Sequence, residues 1–554
     1  MVSSVQVLPF NDDHTGIMIT RIHFRLAFAV ATAFSAASCA SPRAAAEPPE
    51  PVLAPAPAPP PVVNRAPLPA PNPALPAVPD VDGPLAINVI YPPANQTISS
   101  RDSNFVFGSV GSGRAGLTIN GILTPVWPNG SFMAWLPNPP AEAPQYEIVA
   151  TTGVDSARLL HPVKLLPPPL DSAPRPDTIT PISPARWAAL IGPAAYASDT
   201  DRVVTGYATT GGIRRWFLLP DTKVQVTGTR GSDAFVALDS AQTIRIAQAD
   251  LRMLDSSAAR VAIRARAMML RNAPEWTDVI IPVNGRPAYI VEHEPGSLIL
   301  TLYGTSGPRT RSTLRGAASS YLQAVSAENA APRMKYTFTL RGPVYGYQPL
   351  WEEGRFILRV RKPPAIDSVS PLRGLTIAID PGHPPVGATG PTGLKEAEAT
   401  LPVGFKAQEL LQAKGVNVVM TRTSPDPVDL NLRPTIGRRA NAHAFVSIHL
   451  NAVPDGVNPF RAQGTATYHY HSHSGALAET IHRASVQQLS LPDNGVKRDN
   501  FAVVRGTWMP SVLMEGAFII MPDQEAAMRT PEYQERYAQA IVDGLEAYFR
   551  TFAR

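Results

Sequence analysis

The sequence predicts a multidomain protein in which N-terminal all-β modules precede a C-terminal α/β domain with a mostly parallel sheet. Three observations support this fold class. The chain has 554 residues, more than a single hydrophobic core usually serves. Short apolar runs separated by turn residues such as Asn-Gly extend over residues 85–365, as in β modules. After Pro371, apolar runs alternate with helical stretches, which is typical of a parallel sheet.

Residues 1–39 predict a secretory signal peptide. Arg21, His23 and Arg25 form a basic segment before a short apolar run over residues 26–34. That run is too short to span a bilayer, as expected for a cleaved leader. The leader indicates that the protein is exported from the cytoplasm.

The leader ends at Cys39, the one cysteine of the chain, so disulfides within the chain are excluded. The run Ala36-Ala37-Ser38-Cys39 resembles a bacterial lipobox, in which the cysteine is lipidated, although alanine stands where leucine is usual. With Ala40 next, this resemblance implies a periplasmic location as an outer-membrane lipoprotein. The alternative is ordinary cleavage after residues 44–46, Ala-Ala-Ala.

The remaining chain divides by composition. Residues 40–84 are rich in Pro and Ala, which favours an extended polyproline II linker because such a segment cannot build a packed core. Residues 85–165 resemble immunoglobulin-like sandwiches of exported proteins, 190–256 an SH3-like module, and 257–365 β-rich wall-targeting modules. A wall-binding role and a plain spacer role stay open for these modules. Residues 370–554 form the predicted catalytic domain.

The overall charge says little about partners. The formal net charge is +5, small for this length, and it argues against nucleic acid as the main partner. The sequence gives no indication of oligomeric state.

Three chemically active residues follow predicted strands of the C-terminal domain. His383 follows the strand at 375–379, His449 ends the strand at 444–448, and Glu515 ends the strand at 512–514. In an open α/β sheet the carboxyl ends of the strands border the binding crevice, so these side chains are expected to converge. Glu396 lies in a loop, and Pro402 predicts a helix that begins only near residue 400.

Two histidines and one carboxylate, with a fourth position open, form a common catalytic zinc set. Such a metal lowers the pKa of a water and polarises a carbonyl. A second carboxylate is then needed to move a proton to the leaving amine.

Four motifs occur in the order and spacing of the zinc-dependent N-acetylmuramoyl-L-alanine amidases of the AmiC/CwlV-like class, the Amidase_3 group, and the C-terminal domain resembles this family. The motifs are Asp380-Pro381-Gly382-His383, Gly393-Leu394-Lys395-Glu396, residues 445–452 (FVSIHLNA) and residues 514–518 (MEGAF). The resemblance implies that His383, Glu396 and His449 bind Zn²⁺ and that Glu515 is the catalytic acid and base. It also implies peptidoglycan as substrate and hydrolysis of the bond between muramic acid and L-alanine.

Several points of the resemblance stay open. Arg422 and Arg433 match recurrent family positions, and either a structural or a substrate-binding role is possible. Residues 384–387, Pro-Pro-Val-Gly, replace the Gly-Gly and Asp that often follow the first histidine. The segment between His449 and Thr465 is too short for the self-blocking helix of some cell-division amidases, which predicts a site that is open without an activator.

The other histidines of the C-terminal region are expected to be solvent-exposed residues without a catalytic role. His469, His471 and His473 alternate along a predicted strand, which fits a solvated strand edge better than a second metal site. His443 and His482 are expected at the surface.

Two other functions remain possible from the sequence. A wall-binding lipoprotein scaffold would be expected to have lost one of the four key residues, and none is lost. A zinc peptidase that cuts within the stem peptide would use the same residues and would differ in its products.

Overall fold

A computed structural model of the chain describes residues 63–167, 178–192, 203–211, 214–255, 262–313, 321–330 and 332–553. All of these residues belong to one compact unit, Pro61–Arg554. The predicted leader, with Cys39, and the first part of the predicted linker lie outside the described residues. Within the described ranges, no helix combines the length and the apolar composition needed to cross a bilayer.

The first β region is built from two main sheets, β1-β3-β6 and β5-β4-β7-β8, with a short parallel pair, β2-β9. Its strands are β1 Asn88–Tyr91, β2 Thr97–Ile98, β3 Ser103–Ser109, β4 Gly116–Ile119, β5 Ile122–Thr124, β6 Ser131–Pro137, β7 Gln145–Thr151, β8 Ser156–Pro162 and β9 Lys164–Leu165.

Strand β3 is buried on both of its faces. Successive side chains of a strand point to opposite faces. Val106 lies in the core between the sheets of the first β region, whereas Phe105 and Phe107 join the core of the C-terminal domain. On β6, Met133 likewise points away from the core of the first β region and joins the core of the C-terminal domain. The first β region and the C-terminal domain therefore share one apolar contact.

The second β region contains a seven-stranded sheet, β12-β11-β15-β14-β13-β10-β16, a five-stranded sheet, β20-β21-β25-β24-β23, a four-stranded sheet, β18-β19-β27-β26, and a pair, β17-β22. The strands are β10 Thr180–Leu190, β11 Val204–Tyr207, β12 Arg214–Leu218, β13 Lys223–Arg230, β14 Asp233–Ala237, β15 Thr243–Ala247, β16 Leu251–Met253, β17 Ile263–Arg264, β18 Met269–Asn272, β19 Trp276–Pro282, β20 Tyr289–Glu294, β21 Ser297–Tyr303, β22 Thr305–Ser306, β23 Thr310–Thr313, β24 Leu322–Ala330, β25 Arg333–Leu340, β26 Gly346–Glu352 and β27 Arg355–Arg361. A 3₁₀ helix covers Gln248–Asp250.

One hydrophobic cluster runs through this whole region, from Ala188 to Val360. It joins strands on both sides of residue 256, where the sequence suggests a boundary between two modules. The division into separate SH3-like and wall-targeting modules stays a prediction.

The C-terminal domain is a six-stranded sheet, β29-β28-β30-β33-β31-β32, packed with helices. Four neighbouring pairs are parallel, and β31 runs antiparallel to β33. The strands are β28 Thr376–Pro381, β29 Asn417–Met420, β30 Ala444–Asn451, β31 Thr465–His469, β32 Asp493–Arg498 and β33 Ser511–Phe518. The helices are α1 Glu396–Ala413, α2 Leu432–Arg439, α3 Pro459–Ala462, α4 Gly475–Leu489, α5 Pro522–Met528 and α6 Pro531–Arg550, with 3₁₀ helices at Ser472–Ser474 and Ala502–Val504.

Alternation along the central strands gives this sheet two covered faces. Val446 and Ile448 of β30 face the core that contains α1, α4 and α6. Phe445 faces the opposite side, where Val503, Val504 and the half-buried Phe217 of the second β region pack. The sheet is therefore buried on both faces, as parallel sheets usually are.

Two sequence expectations in this domain are wrong. Helix α1 begins at Glu396 and includes Pro402, instead of beginning near residue 400. The Glu398 carboxylate accepts a hydrogen bond from the Lys395 backbone N–H (3.3 Å), which supports the first turn and offsets the bond that Pro402 cannot donate. The apolar run at 501–504, which the sequence also predicts as a strand, contains a 3₁₀ helix at Ala502–Val504, because a four-residue apolar run does not by itself define a strand.

The described part of the proline-rich segment lies against the C-terminal domain. The Asn72 side chain donates to the Ser490 carbonyl (2.8 Å), and Arg536 of α6 donates to the Ala74 carbonyl (2.6 Å). Leu75 and Val78 pack on the same core. This stretch of the predicted linker is thus part of the folded surface.

Candidate metal centre

His383, Glu396 and His449 form a compact cluster at the carboxyl ends of the central strands. Glu396 Oε2 lies 3.2 Å from His383 Nε2, and Glu396 Oε1 lies 3.1 Å from His449 Nδ1. One ligand atom from each residue lies within 4.8 Å of the other two. Two imidazoles and a carboxylate at this spacing match the donor set of a catalytic zinc site. The structure thus brings these three side chains together, and their role as metal ligands stays a prediction.

The loop after β28 brings His383 into place through close backbone packing. A Cβ at Gly382 would lie 2.5 Å from the His449 ring, so only glycine fits there. His383 itself has a left-handed backbone, with φ of 55°. Its Nδ1 lies 3.4 Å from the Pro385 carbonyl, which favours a proton on Nδ1 and leaves Nε2 free to face Glu396.

Glu396 is held by backbone donors as well as by the histidines. Its carboxylate accepts from Ala388 N (3.0 Å) and from Leu450 N (2.9 Å). Burial alone would raise the pKa of this carboxyl group, but hydrogen bonds with His383 and His449 bring the pKa well below its usual range. The side chain is therefore an anion, the form that binds a metal.

Asp380 organises the strand end behind the cluster. Its buried carboxylate accepts from Thr421 Oγ1 (2.5 Å), from Ser447 Oγ (2.6 Å) and from Arg433 Nη1 (2.8 Å). These bonds tie β28 to β29, β30 and α2. A buried charge needs such partners to be tolerated.

Arg422 and Arg433 serve the same loop. Both are almost fully buried, at 4% and 2% exposed. Arg422 donates to the Pro381 and Gly382 carbonyls, and Arg433 to the carbonyls of Pro381, His383 and Pro384. Of the two roles left open by the sequence, the geometry favours the structural one, and the substrate-binding assignment of these arginines finds no support.

Glu525 is a site residue that the sequence did not reveal. This buried carboxylate on α5 accepts from Thr392 N, Thr392 Oγ1 and Leu394 N, at 2.8–3.1 Å. It therefore anchors the loop that leads into Glu396. No sequence signal separated it from Asp523 and Gln524, the other polar residues of α5.

Glu515 faces the cluster from the neighbouring strand, opposite His449 in the register of β30 and β33. Its Oε2 is inaccessible to solvent and has no hydrogen-bond partner among the described residues. Burial and the charge of Glu396 raise its pKa well above the usual range. A carboxyl group with a raised pKa holds a proton more strongly than an ordinary carboxyl group, as expected of a group that carries a proton during catalysis.

The interpretation of the remaining histidines is wrong. His471 and His473 are each 8% exposed, and they stack with His293 of the second β region. His482 is buried and lies 2.8 Å from Asp493. His443 Nδ1 accepts from the Thr376 N–H (3.0 Å). The residue pattern along a single strand could not reveal that the second β region covers this side of the domain.

Residues 377–547 match the family model described as N-acetylmuramoyl-L-alanine amidase. The C-terminal part of the chain therefore carries a domain of the N-acetylmuramoyl-L-alanine amidase family. The amidase domain is 36% identical over 185 residues to a protein named probable cell wall amidase LytH from Staphylococcus aureus, covering 32% of this chain and 60% of that relative. The chain thus spans about three fifths of the curated relatives that it matches.

Solved structures of amidases are also similar to the amidase domain. The amidase AmiC2 of Nostoc punctiforme is 36% identical and covers 31% of this chain and 96% of its own, with a TM-score of 0.30. The catalytic domain of CwlV from Bacillus (Paenibacillus) polymyxa var. colistinus is 31% identical and covers 31% of this chain and 97% of its own, with a TM-score of 0.29.

Proposed function

We propose that the chain is a peptidoglycan hydrolase that uses Zn²⁺ to hydrolyse the amide bond between N-acetylmuramic acid and the L-alanine of the stem peptide. The observation that carries this proposal is the His383–Glu396–His449 cluster with Glu515 opposite His449, in a domain of the amidase family. The description of the family model that matches residues 377–547 names the same bond.

His383, Glu396 and His449 are the residues that would hold the metal. Bound zinc supplies a polarised carbonyl and a water of lowered pKa. Glu515 takes the proton of the attacking water and delivers it to the amide nitrogen, because an amine leaves only once it is protonated. Its raised pKa lets the same carboxyl group act first as base and then as acid.

The supporting residues keep these groups in place. Asp380, Arg422 and Arg433 fix the backbone on either side of Gly382, and Glu525 fixes the loop before Glu396. Hydrogen bonds that orient a ligand from behind are a regular part of metal sites. They allow the reacting groups to be positioned before substrate arrives.

The N-terminal part would deliver this activity to the wall. Residues 1–39 are the proposed signal peptide, and lipidation at Cys39 would make an exported lipoprotein of the outer membrane, facing the periplasm. The immunoglobulin-like, SH3-like and wall-targeting identities of the β regions belong to the same proposal. The apolar contact of β3 and β6 with the amidase core supports β regions that present this domain rather than merely space it.

The proposed activity includes a site open without an activator. The segment between His449 and Thr465 holds one helix of four residues, Pro459–Ala462. Asp455 in this segment accepts hydrogen bonds from Tyr91, Ser99 and Asn104 of the first β region. The loop is thus drawn toward that β region. A basal activity that rises many-fold only when a partner protein is added would count against an open site.

The test is product analysis with the full-length chain and purified sacculi, with and without a chelator. Release of stem peptides with a free N-terminal L-alanine, lost with chelator and in Glu515→Gln, is the expected result. Glu479→Gln, an exposed glutamate on α4, is the matched control. Cuts inside the stem peptide would indicate a zinc peptidase, and binding without release would indicate a scaffold.

A further inference from the structure

A large cavity lies where the second β region meets the amidase domain. Its volume is about 760 Å³. Sites for small organic ligands usually enclose roughly 300–1,000 Å³ and occur preferentially at domain interfaces. The cavity is therefore of a size that can hold a peptide of a few residues.

The lining of this cavity contains none of the residues of the candidate metal centre, and much of it lies at the other end of the central strands. Trp508 and Met509, which precede β33, line it, as do Tyr470 and His471, which follow β31. Because β31 runs antiparallel to β33, all four mark the amino edge of the central strands. Glu515 lies at the carboxyl edge, six residues beyond Met509, or roughly 20 Å along an extended strand.

The walls of the cavity favour an anion. Four arginines and only two carboxylates contribute to its lining, the arginines being Arg215, Arg438, Arg498 and Arg505. Arg215 and Arg498 are exposed, so they stand at the mouth. Burial, with the neighbouring charge of Arg439, lowers the pKa of Arg438 to about 10, so an anion would stabilise this wall. Arginine forks pair particularly well with carboxylates.

The floor is aromatic and contains an unsatisfied polar group. Tyr289, Tyr347 and Tyr470 are buried there, at 3–5% exposed. His293 also lines the cavity, and neither of its ring nitrogens has a hydrogen-bond partner among the described residues. These nitrogens are closed off from solvent, so the ring contributes to the floor through its aromatic surface, which packs against Tyr347.

A cationic mouth over an aromatic floor selects an organic anion with apolar parts rather than an inorganic ion. The stem peptide of peptidoglycan combines several carboxylates with methyl groups, and it is the peptide product of the proposed reaction. We propose that this cavity is a second, non-catalytic site that binds a carboxylate-bearing stem peptide. The identity of the ligand rests on the proposed function, whereas the cavity and its charge do not.

The test is isothermal titration of the full-length chain carrying Glu515→Gln with synthetic L-alanyl-γ-D-glutamyl-L-lysine and its diaminopimelate analogue. Saturable binding is expected, weakened by about tenfold or more in Arg498→Ala, which removes a paired carboxylate contact. Lys497→Ala is the matched control, because Lys497 is the neighbouring cation on β32 and does not line the cavity. Thr205→Trp, which fills the cavity from β11, is a second variant in case Arg498→Ala does not fold.

Four results separate this proposal from the alternatives. Binding that survives Arg498→Ala and Thr205→Trp but is lost in His383→Ala would place the peptide at the metal centre and overturn the proposal. Saturable binding of N-acetylglucosamine oligomers in place of the peptides, lost in the same two cavity variants, would overturn it as well, as would the absence of any binding. If the wild-type chain releases no peptide from sacculi while the cavity variants still abolish peptide binding, the proposed amidase function fails and the cavity site stands.

A second arm distinguishes the source of the peptide. Co-sedimentation of the Glu515→Gln chain with sacculi that falls in Arg498→Ala supports binding of stems still attached to the wall. Co-sedimentation that is unchanged, while the free peptides bind as expected, supports capture of released stems.

Discussion

Glu515 and His449 lie directly opposite each other in the parallel pairing of β33 with β30. Neighbouring parallel strands are about 4.8 Å apart, so this register fixes the separation of the two residues more firmly than loops could. His449 belongs to the cluster that could hold a metal ion, and Glu515 carries a carboxyl group that is not part of that cluster. The division of roles between ligand and proton carrier is therefore built into the sheet.

Replacing Glu515 by Gln should abolish turnover without disturbing the metal cluster. The amide has nearly the shape of the carboxyl group but cannot transfer the proton, and removing general acid–base catalysis costs about 10²–10⁴-fold. The measurement is the rate of peptide release from sacculi, beside the zinc content by mass spectrometry. A variant that loses zinc and activity together would assign Glu515 to metal binding instead.

Replacing His383 or His449 by Ala should remove the metal. Wild-type protein purified with zinc is expected to hold one equivalent, and each variant well below one, because second-row contacts cannot replace a ligand. Elemental analysis after dialysis checks this independently of activity. His161→Ala, in the first β region, is the control that should retain the metal, and equal loss in all three proteins would point to adventitious zinc.

Arg433→Ala should destabilise the amidase domain by about 3–5 kcal/mol, because it leaves the buried carboxylate of Asp380 without its ion partner. Chemical denaturation followed by circular dichroism gives the free energy of unfolding. The exposed neighbour on the same helix, Arg439, provides the control, and its replacement by Ala should change stability far less. If both substitutions have equal small effects, the role assigned to Arg433 is wrong.

Asp455→Ala should release the loop after β30 from the first β region. The fully buried Asn104 would lose the acceptor of its Nδ2 (2.9 Å), and an unsatisfied buried donor costs about 1–3 kcal/mol. Hydrogen exchange of residues 452–458 should become faster, while Asp426→Ala, in a surface turn, should leave it unchanged. Unaltered exchange in Asp455→Ala would show that the apolar contact alone holds the loop.

Acid should destabilise the contact between the second β region and the amidase domain. Burial, together with Arg498, lowers the pKa of His293 to about 4, and burial with His293 lowers that of His471 to about 3. Both would titrate near 6.5 when unfolded, so below that pH the unfolded chain binds more protons and stability falls. Other polar groups facing them are His473, Tyr347 and the ion pair of Arg215 with Glu292.

The midpoint of thermal unfolding should therefore drop between pH 6.5 and about 4, and His293→Gln should flatten this dependence. Differential scanning calorimetry of both proteins at pH 5 and pH 7 measures it. Equal pH slopes in the wild type and the variant would contradict the role of this imidazole.

Three of the four residues of the candidate site could be predicted from sequence because each lies next to a strand end of one mostly parallel sheet. His383, His449 and Glu515 needed only the strand pattern and the rule that carboxyl ends meet at one edge. Glu396 was found in spite of an incorrect helix boundary, because its motif depends on spacing rather than on where α1 begins.

The parts that sequence could not reveal depend on contacts between distant segments. Glu525 lies 129 residues after Glu396 in the chain, and its role as loop anchor comes only from tertiary packing. His471 and His473 were expected in solvent because nothing local indicates that β20 and β26 cover them. The sequence left two roles open for Arg422 and Arg433. The structural role is favoured only because carbonyl oxygens enclose their guanidinium groups in the fold.

The two aromatic side chains of β3 that enter the amidase core have a consequence for how such proteins evolve. Phe105 and Phe107 fill space that a free-standing catalytic domain would have to close with its own residues. Transfer of this catalytic domain to another gene would expose apolar surface on both separated parts. The β regions and the catalytic domain are therefore not independent modules. They should be inherited together and should diverge in step.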